Sequence, residues 1–395
     1  MEALLAVKQK LSIERFIPFF LAITCFALPL SSTAKSICLS VSIAAILLSP
    51  SYRNALTNLF KTSWCKAALA LFFIALFACF YSPATFSERM LILEKYSKLL
   101  YLPVLVLGFR EQKTRTDCLN AFIVAMVITS GLSVLRFSGL LPGFEINPDH
   151  VFRNHIMVGY MVDFAAYLCA LFFYREQGKK RLMYGLLFVL FSYHVLFVNG
   201  GRMGYVIYLV LMALLFLQIF SWRAAVVAAL LFGAGFYFLY SQNPVMKDRV
   251  QLATIEYKYY EWDKNTPVGF RLQFYHYALD VFKRHPISGN GTGSFTYYFR
   301  TENPVPFWFS KLLEPHSQYW LVADEFGLIG LFALLFFFAS LFKASWRLKS
   351  TKPIAFAMLL PFVIGNFTDS LLLYSGSGYF FILFMALCLG ENQDT

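Results

Sequence analysis

Long apolar segments recur along the whole of this sequence, and they constrain the fold more than any other feature. Runs of about 17 or more residues with few charges are long enough to cross a bilayer as helices. Hydrophobic residues make up 58% of the 395 residues and charged residues 14%, whereas about a quarter of a soluble domain is charged. Because backbone polar groups in lipid must be hydrogen-bonded within the protein, such runs fold as spanning helices. The predicted fold is an all-α, polytopic integral membrane protein, with residues 1–395 forming a single domain.

Twelve spans can be drawn along the chain. They are about 16–32, 36–49, 66–82, 97–109, 117–137, 155–174, 182–198, 203–221, 223–241, 317–342, 353–373 and 378–390. The second and fourth are short for a hydrocarbon core of about 30 Å. The first follows Lys8, Lys10 and Arg15 and precedes Ser32-Thr33-Ala34, which resembles a signal-peptidase site. Since further spans follow at once, we interpret it as an uncleaved first span.

The distribution of lysine and arginine predicts the orientation. The net charge of +12 could suggest nucleic acid, but the basic residues cluster in every second loop of the twelve-span scheme. The clusters are Lys8/Lys10/Arg15, Arg53/Lys61/Lys66, Arg110/Lys113/Arg115, Arg175/Lys179/Lys180/Arg181, Arg223 and Lys343/Arg347/Lys349/Lys352. By the positive-inside rule these loops and both termini are cytoplasmic. The alternate loops, 83–96, 138–154, 199–202, 242–316 and 374–377, then face outward, and no nucleic acid is needed to explain the charge.

Cysteine usage excludes a disulfide framework. The seven cysteines are scattered through or beside apolar segments. None lies in the long 242–316 loop, so we expect neither a disulfide framework nor a cysteine-based metal site.

The 242–316 loop is the one outward segment long enough to build structure outside the membrane. Phe274, Ala278 and Val281 repeat at helical spacing, which predicts an amphipathic helix over 269–284 lying on or near the membrane. The following stretch, 285–293, contains a proline and three glycines and is typical of a turn-rich connection. Its glycines could form an anion nest, but the Gly-Lys-Ser/Thr ending of a P-loop is missing.

The end of this loop carries the most informative segment, which begins at His316. A proline stands just before it and predicts a helix start there, with His316 in the first turn at the membrane–water boundary. Gly327 and Gly330 lie on one helical face, which favours close packing. Asp324 and Glu325 lie in the same segment, where ionisable groups usually face the protein interior or a watery cavity. A helix start with a glycine packing face would also explain this pattern without any chemistry.

Several charged or titratable residues stand close to the outward ends of spans. They are Lys98, Arg153, His155, Arg202, Arg271, His316 and Asp369. Each alone is more often an anchor that reaches to the interface, or a satisfied contact between helices. Basic groups are otherwise depleted from outward loops, so several at helix ends indicate a function. Together they predict a cationic cup that suits a diphosphate, because arginine binds phosphate oxygens bidentately and stays charged.

A family resemblance accompanies these residues. His316-Ser317, followed after nine residues by Gly327-Leu328-Ile329-Gly330, resembles the signature of the O-antigen ligase family. The topology is similar as well, with one large periplasmic loop between spans nine and ten, and it implies a GT-C-like arrangement. Arg202 stands where the family has an arginine at the periplasmic start of a helix.

The remaining similarities are short. Gly269-Phe270-Arg271, followed by 284–288, resembles the family's loop helix and the turn after it. Asp369 resembles a family acid, and Lys98 a basic position. The chain departs from the family at 199–201, Asn-Gly-Gly, where relatives often have hydroxyl residues.

The resemblance implies a reaction and a location. A glycan on undecaprenyl diphosphate would be transferred, with inversion, to a sugar hydroxyl of the lipid A–core oligosaccharide, on the periplasmic side of a bacterial inner membrane during lipopolysaccharide biosynthesis. Arg202 and Arg271 would stabilise the diphosphate leaving group. His316 would be the base, or a cation that binds phosphate. At a helix N-terminus its pKa would be lowered, which favours the base. Substrate binding is assigned to Lys98, Arg153, His155 and Asp369.

Cofactors and metals are not expected. Glu261-Trp262-Asp263 is the outward acidic pair that resembles a metal-binding motif, but the family is thought to be metal-independent. The expected partners are the lipid-linked donor, the lipid A–core acceptor and membrane lipids. The nearest alternatives are an O-antigen polymerase and a protein O-oligosaccharyltransferase. A flippase or transporter of lipid-linked glycans would also span twelve times, but the unusual charges gather at one face and the halves show no clear repeat.

Overall fold

The computed structural model describes residues 13–142, 150–308 and 312–393, so Lys8 and Lys10 of the first basic cluster lie outside the described residues. The described residues form helices and no strand, which confirms the all-α class. Before the long loop the helices are α1 (Ile17–Leu30), α2 (Ser32–Leu48), α3 (Pro50–Leu59), α4 (Ser63–Ala78), α5 (Phe86–Gly108), α6 (Gln112–Phe137), α7 (His155–Arg175), α8 (Gly178–Tyr193), α9 (Arg202–Ile219) and α10 (Trp222–Gln242). The loop contains α11 (Pro244–Lys258), α12 (Pro267–Phe282) and α13 (Ser294–Glu302), and it is followed by α14 (Gln318–Trp346), α15 (Lys352–Gly365) and α16 (Ser375–Leu389).

The long apolar helices confirm a multi-pass membrane protein. Among the described residues six helices are long and apolar enough to cross a membrane: α6, α7, α9, α10, α14, and α8 with its π-helical extension to Val198. The pair α2 and α3, which meet at 91°, would make a seventh as one broken span. The other helices at predicted spans are shorter or more polar. With 14 residues, α1 and α15 each measure about 21 Å, less than the hydrocarbon thickness. The number twelve therefore stays a prediction.

The fourth predicted span was drawn too short. The helix that contains it, α5, has 23 residues and begins at Phe86 rather than at residue 97. Thr85 and Glu88 form a capping box at its start, a signal that is visible in the sequence. Arg89 and Glu94 interrupt the apolar pattern of its first turns, so an assignment by hydropathy missed that part of the helix.

The predicted span 317–342 contains a break at Gly327. This residue has φ 63° and ψ −158°, which are not helical values. The segment after α12 packs into the break and satisfies the backbone groups that it frees. The amide of Leu328 donates to the carbonyl of Pro286 (2.8 Å), and the amide of Gly291 donates to the carbonyl of Glu325 (2.9 Å). Gly327 therefore does not serve a helical packing face, as its spacing from Gly330 had suggested.

Backbone-to-backbone contact explains two of the glycines. A methyl group added at Gly327 would lie 2.3 Å from the carbonyl oxygen of Ile287, and one at Gly289 would lie 2.4 Å from the backbone of Glu325. The amide of Gly293 donates to the Glu325 carboxylate at 2.8 Å. The glycine-rich turn thus binds a carboxylate of this chain, and Asp324 and Glu325 are both fully buried, as expected for this depth.

The amphipathic loop helix exists as α12, two residues earlier at each end than predicted. Thr266 caps it by accepting from the amide of Gly269 (3.0 Å). Its apolar face does not lie on lipid: Phe274 is buried against the rings of Phe299 and Trp308, at centroid distances of 5.9 and 6.0 Å. This packing fixes α12 beside the N-terminus of α14.

Hydrogen bonds join separate segments of the chain at each of the two ends of α14. At one end Arg175 donates to the carbonyl of Ser350 (3.2 Å), which joins two of the basic loops. At the other end Tyr275 of α12 donates to the carbonyls of His316 (3.1 Å) and Phe367 (3.0 Å). The second end gathers the segments in which the candidate functional residues stand.

Candidate active site

A cavity of about 390 Å³ opens at the end of the helices that carries the N-termini of α7 and α9. The N-terminal turns of α7, α9 and α12 and the two short segments around residues 316 and 369 form its wall. Five of the predicted site residues line it: His155, Arg202, Arg271, His316 and Asp369. These residues are distant in sequence, so the fold brings them together.

The two arginines of the cavity come from different helices. Arg202 is the first residue of α9, and Arg271 lies in the second turn of α12. The two terminal nitrogens of Arg202, Nη1 and Nη2, each lie 3.4 Å from a carboxylate oxygen of Glu256. Glu256 also accepts from the amide of Val268 at 3.2 Å. No hydrogen bond or ion pair joins Arg271 to the part of the chain that the structure describes. Arg271 is therefore the cation most available to an anionic ligand.

His316 precedes the helix instead of lying in its first turn. The N-cap of α14 is Ser317, and His316 has a left-handed backbone with φ 54°. Its ring stacks on Phe274 at 5.8 Å, and its Nδ1 lies 3.1 Å from Oδ1 of Asp369 and 3.3 Å from Oε1 of Glu314. A proton on Nδ1, held by the carboxylates, leaves Nε2 as an acceptor. The arrangement suits a histidine that takes a proton at Nε2.

The pKa of His316 is raised, which corrects the expectation of a lowered value. Burial of the ring favours the neutral form, but the hydrogen bond to Asp369 and the negative charges of Glu314 and Asp369 outweigh it, so the pKa lies above 6.5. The expectation was wrong because the histidine stands before the helix and beside two carboxylates. A higher pKa makes the neutral ring a stronger base.

Sequence reasoning missed Glu314, whose carboxylate contacts both the backbone amide and the ring of His316. This residue is 1% exposed and accepts from the backbone amide of His316 (2.7 Å) and from the hydroxyls of Ser370 and Tyr374. These bonds fix the left-handed turn at His316 and join it to the segment that carries Asp369. An acidic residue two positions before the motif was the available signal.

Glu314, His316 and Asp369 are also the residues most suited to a metal ion, since one ligand atom from each lies within 4.8 Å of the others. The oxygens of Glu314 already accept three hydrogen bonds, however, and Arg271 lies in the same cavity. Glu261 and Asp263 are exposed and do not line the cavity. The carboxylate of Asp263 accepts a hydrogen bond from the amide of Asn265 (2.9 Å). Glu261 and Asp263 therefore do not belong to the cavity, and a metal ion in the cavity would have to bind Glu314, His316 and Asp369.

The transfer that the family resemblance implies is expected to be unchanged in saturating EDTA, because cationic side chains supply the charge that a metal would otherwise provide. Asp263→Ala should be tolerated, since that carboxylate is exposed and does not line the cavity. The measurement is the initial transfer rate before and after chelation. Loss of activity that Mg²⁺ or Mn²⁺ restores would contradict this expectation and place an ion between Glu314, His316 and Asp369.

Lys98 and Arg153 do not line the cavity. The buried ammonium of Lys98 donates to the carbonyls of Leu372 (2.8 Å), Leu373 (3.0 Å) and Tyr374 (3.1 Å). It therefore holds the turn that presents Asp369. Arg153 donates to the carbonyl of Leu28 (2.9 Å), which joins the segment before α7 to α1. The predicted cationic cup is smaller than expected, and Arg202 within it is already paired with a carboxylate.

The fold is that of a multi-pass helical membrane protein, and its cavity is lined by two arginines, His316 and Asp369. Comparison with family models matches residues 185–335 to the family described as O-antigen ligase, which confirms the predicted resemblance. The matched range contains Arg202, Arg271 and His316, while Asp369 lies beyond it. A search of curated proteins finds no match.

Proposed function

We propose that this protein is a metal-independent, inverting O-antigen ligase of the bacterial inner membrane. It takes a glycan from undecaprenyl diphosphate and transfers it to the lipid A–core oligosaccharide on the periplasmic side. The observation that carries the proposal is the convergence of Arg202, Arg271 and the His316–Asp369 pair on one cavity, within and beside the range that matches the family.

The proposed reaction divides between these groups. The acceptor hydroxyl attacks the anomeric carbon from the side opposite the diphosphate, and its proton passes to Nε2 of His316. The bond between the anomeric carbon and the diphosphate oxygen breaks, and its electron pair stays on that oxygen. Arg271 and Arg202 stabilise the charge that grows there. The products are the glycosylated acceptor, undecaprenyl diphosphate and a protonated histidine, which returns its proton to water.

A purified transfer assay tests the function. Lipid A–core, a second lipid-linked glycan and a peptide are offered separately as acceptors of a glycan on undecaprenyl diphosphate. Transfer to lipid A–core supports the ligase, while transfer only to the second glycan or only to the peptide would identify a polymerase or a protein glycosyltransferase. A protein that moves the donor across a vesicle membrane and transfers it to none of the three would be a flippase.

The proposed orientation has its own test. In a protein without its native cysteines, a cysteine at Asn265 should react with an impermeant reagent added outside, and one at Gly178 should not, because the basic loop around Gly178 is placed in the cytoplasm. The opposite labelling pattern would reverse the map and move the cavity to the cytoplasmic side.

The rate of transfer is expected to rise with pH through the pKa of His316, because only the neutral imidazole accepts a proton. Asp369→Asn removes a hydrogen bond and a negative charge that raise this pKa. The rising limb of kcat/KM should therefore move to lower pH, while the maximal rate falls because the base is weaker and less well oriented. Asp280→Asn, an exposed carboxylate on α12 that pairs with Lys283, is the matched control. An inflection that stays in place in Asp369→Asn would exclude His316 as the titrating base.

A further inference from the structure

Two polar groups beside the cavity have no partner in the described part of the chain. Asn199 stands in the turn before α9, lines the cavity and is 3% exposed. Its Oδ1 accepts from the amide of Gly201 at 2.8 Å, which fixes the orientation of the side-chain amide. Its Nδ2 has no hydrogen-bond partner among the described residues. A buried amide without a partner destabilises the fold, and a ligand that accepts a hydrogen bond from this donor would remove that cost.

The second group is Asp163 of α7, one helical turn beyond the cavity-lining Gly159. It is fully buried, and neither carboxylate oxygen has a hydrogen-bond partner among the described residues. A carboxyl group inside a spanning helix is expensive to keep and usually marks a functional position. The reaction proposed above makes no use of it.

The two groups face each other across Gly204 of α9, which also lines the cavity. A methyl group added at Gly204 would lie 3.6 Å from Nδ2 of Asn199 and 3.8 Å from Oδ2 of Asp163. No hydrogen bond joins the amide to the carboxylate, and a methyl group at Gly204 would meet no atom outside its own helix nearer than 3.6 Å, so there is room for a small group between them. A methyl group at Gly159 would lie 2.6 Å from the same Nδ2, which explains why glycine stands on that side too.

A donor and an acceptor that flank a small space are suited to a sugar. A hydroxyl group can donate to the carboxyl group of Asp163, and a hydroxyl or acylamino oxygen can accept from Nδ2 of Asn199. Arg202, three residues after Asn199, also lines the cavity, so a diphosphate bound there places its directly attached sugar nearby. Neither polar group suits the polyprenyl chain, which is apolar.

We infer that Asp163 and Asn199, with Gly159 and Gly204 beside them, form the subsite for the first sugar of the lipid-linked donor. Hydrogen bonds in this subsite favour binding of the sugar-bearing lipid over the bare lipid diphosphate. This inference rests on the proposed function. It also accounts for the departure of 199–201 from the family pattern, because an asparagine at this position supplies a longer donor than a hydroxyl residue would.

Gly204→Ala is the sharpest test. The residue is helical, and both neighbouring polar atoms would remain at ordinary contact distance from the new methyl group. The fold should therefore tolerate alanine, which is the better helix former. The methyl group would nevertheless fill the space between the amide and the carboxyl group. Gly131→Ala in α6, where nothing lies within 4 Å of the added methyl group, is the matched control.

The probes are undecaprenyl diphosphate and the same lipid carrying one N-acetylglucosamine. The wild type should bind the sugar-bearing lipid more tightly, by about tenfold for each good hydrogen bond. Gly204→Ala should remove most of this difference, and Gly131→Ala should leave it unchanged. Equal affinities of the wild type for the two lipids, or an undiminished difference in Gly204→Ala, would overturn the subsite.

Asp163→Leu adds a second measurement, the thermal unfolding temperature, which separates binding from a structural role. It replaces a buried carboxyl group that lacks a partner by an apolar side chain of similar shape, so its unfolding temperature should equal or exceed that of the wild type. Its preference for the sugar-bearing lipid should fall. A lowered unfolding temperature with the preference intact would show that Asp163 stabilises the fold and overturn its assignment. A wild-type protein that binds neither lipid would refute the proposed function, and the subsite with it.

Discussion

His316→Ala is expected to insert into the membrane and bind the lipid diphosphate donor nearly as well as the wild type, yet to transfer glycan roughly 10²–10⁴-fold more slowly. That range is what a positioned general base contributes. The ring is held by Asp369 and Glu314 through Nδ1, which leaves Nε2 for the acceptor hydroxyl. The measurement is donor affinity and single-turnover rate in the same purified variant.

Three further substitutions at this position, and one control, test this interpretation. Removing the imidazole leaves two buried carboxylates without their partner, so His316→Gln, which keeps a donor for them but is not a base, should be just as inactive and better folded. His316→Arg and His316→Lys should not restore transfer, because neither is a base near neutral pH. His276→Ala is the matched control, since that histidine is exposed on α12 and lies outside the cavity wall. Loss of donor affinity in His316→Ala, with activity regained in His316→Arg, would make His316 a phosphate ligand.

Arg271→Lys and Arg202→Lys should each lose about a hundredfold or more in transfer rate although both keep the positive charge. A lysine offers a point charge, whereas the guanidinium group can hold two oxygens of a diphosphate at once. The loss should appear in kcat more than in KM, because the charge on the leaving oxygen grows in the transition state. Initial rates at varied donor concentration separate the two.

The two arginines should differ in a second respect. Arg202 is already bound to Glu256, whereas Arg271 has no such partner among the described residues, so the larger loss of donor affinity is expected in Arg271→Lys. Arg223→Lys, an exposed position at the start of α10, is the control. Transfer at near wild-type rates by both variants, at normal expression, would show that the arginines only anchor their helices.

The sequence predicted the helical membrane class and the main cavity residues because each has a local signal. Apolar length identifies spans, and an arginine at an outward helix end is unusual in itself. The partners of these residues have no local signal. Glu256 lies 54 residues from Arg202, and the carbonyls that bind Lys98 lie 274 to 276 residues from it. Lys98 was therefore assigned to substrate, since nothing near it in sequence shows that its ammonium is already fully bound.

Two errors have a different cause. The helix start was placed about two residues too early, at His316, and the carboxylates of Glu314 and Asp369 beside that residue reversed the expected direction of its pKa change. The break in α14 was missed because a glycine within an apolar segment is compatible with both a packing face and a break. A break forms here because the turn at 285–293 packs into α14 and hydrogen-bonds to the backbone around Gly327. The sequence near Gly327 carries no sign of this contact with a distant segment.

The backbone hydrogen bonds between that turn and α14 hold one side of the cavity wall together. Arg271 precedes the turn on α12, and the bonds at Gly327 tie that turn to the helix that begins just after His316. Arg202 instead belongs to α9, which packs against α7, α10 and α15, and its contact with α12 runs through the side chain of Glu256 on α11. Because α10 and α11 are largely exposed, we expect long polyprenyl substrates to enter past them. A crosslink between α11 and α12 should then block turnover, while one between α12 and α14 should not.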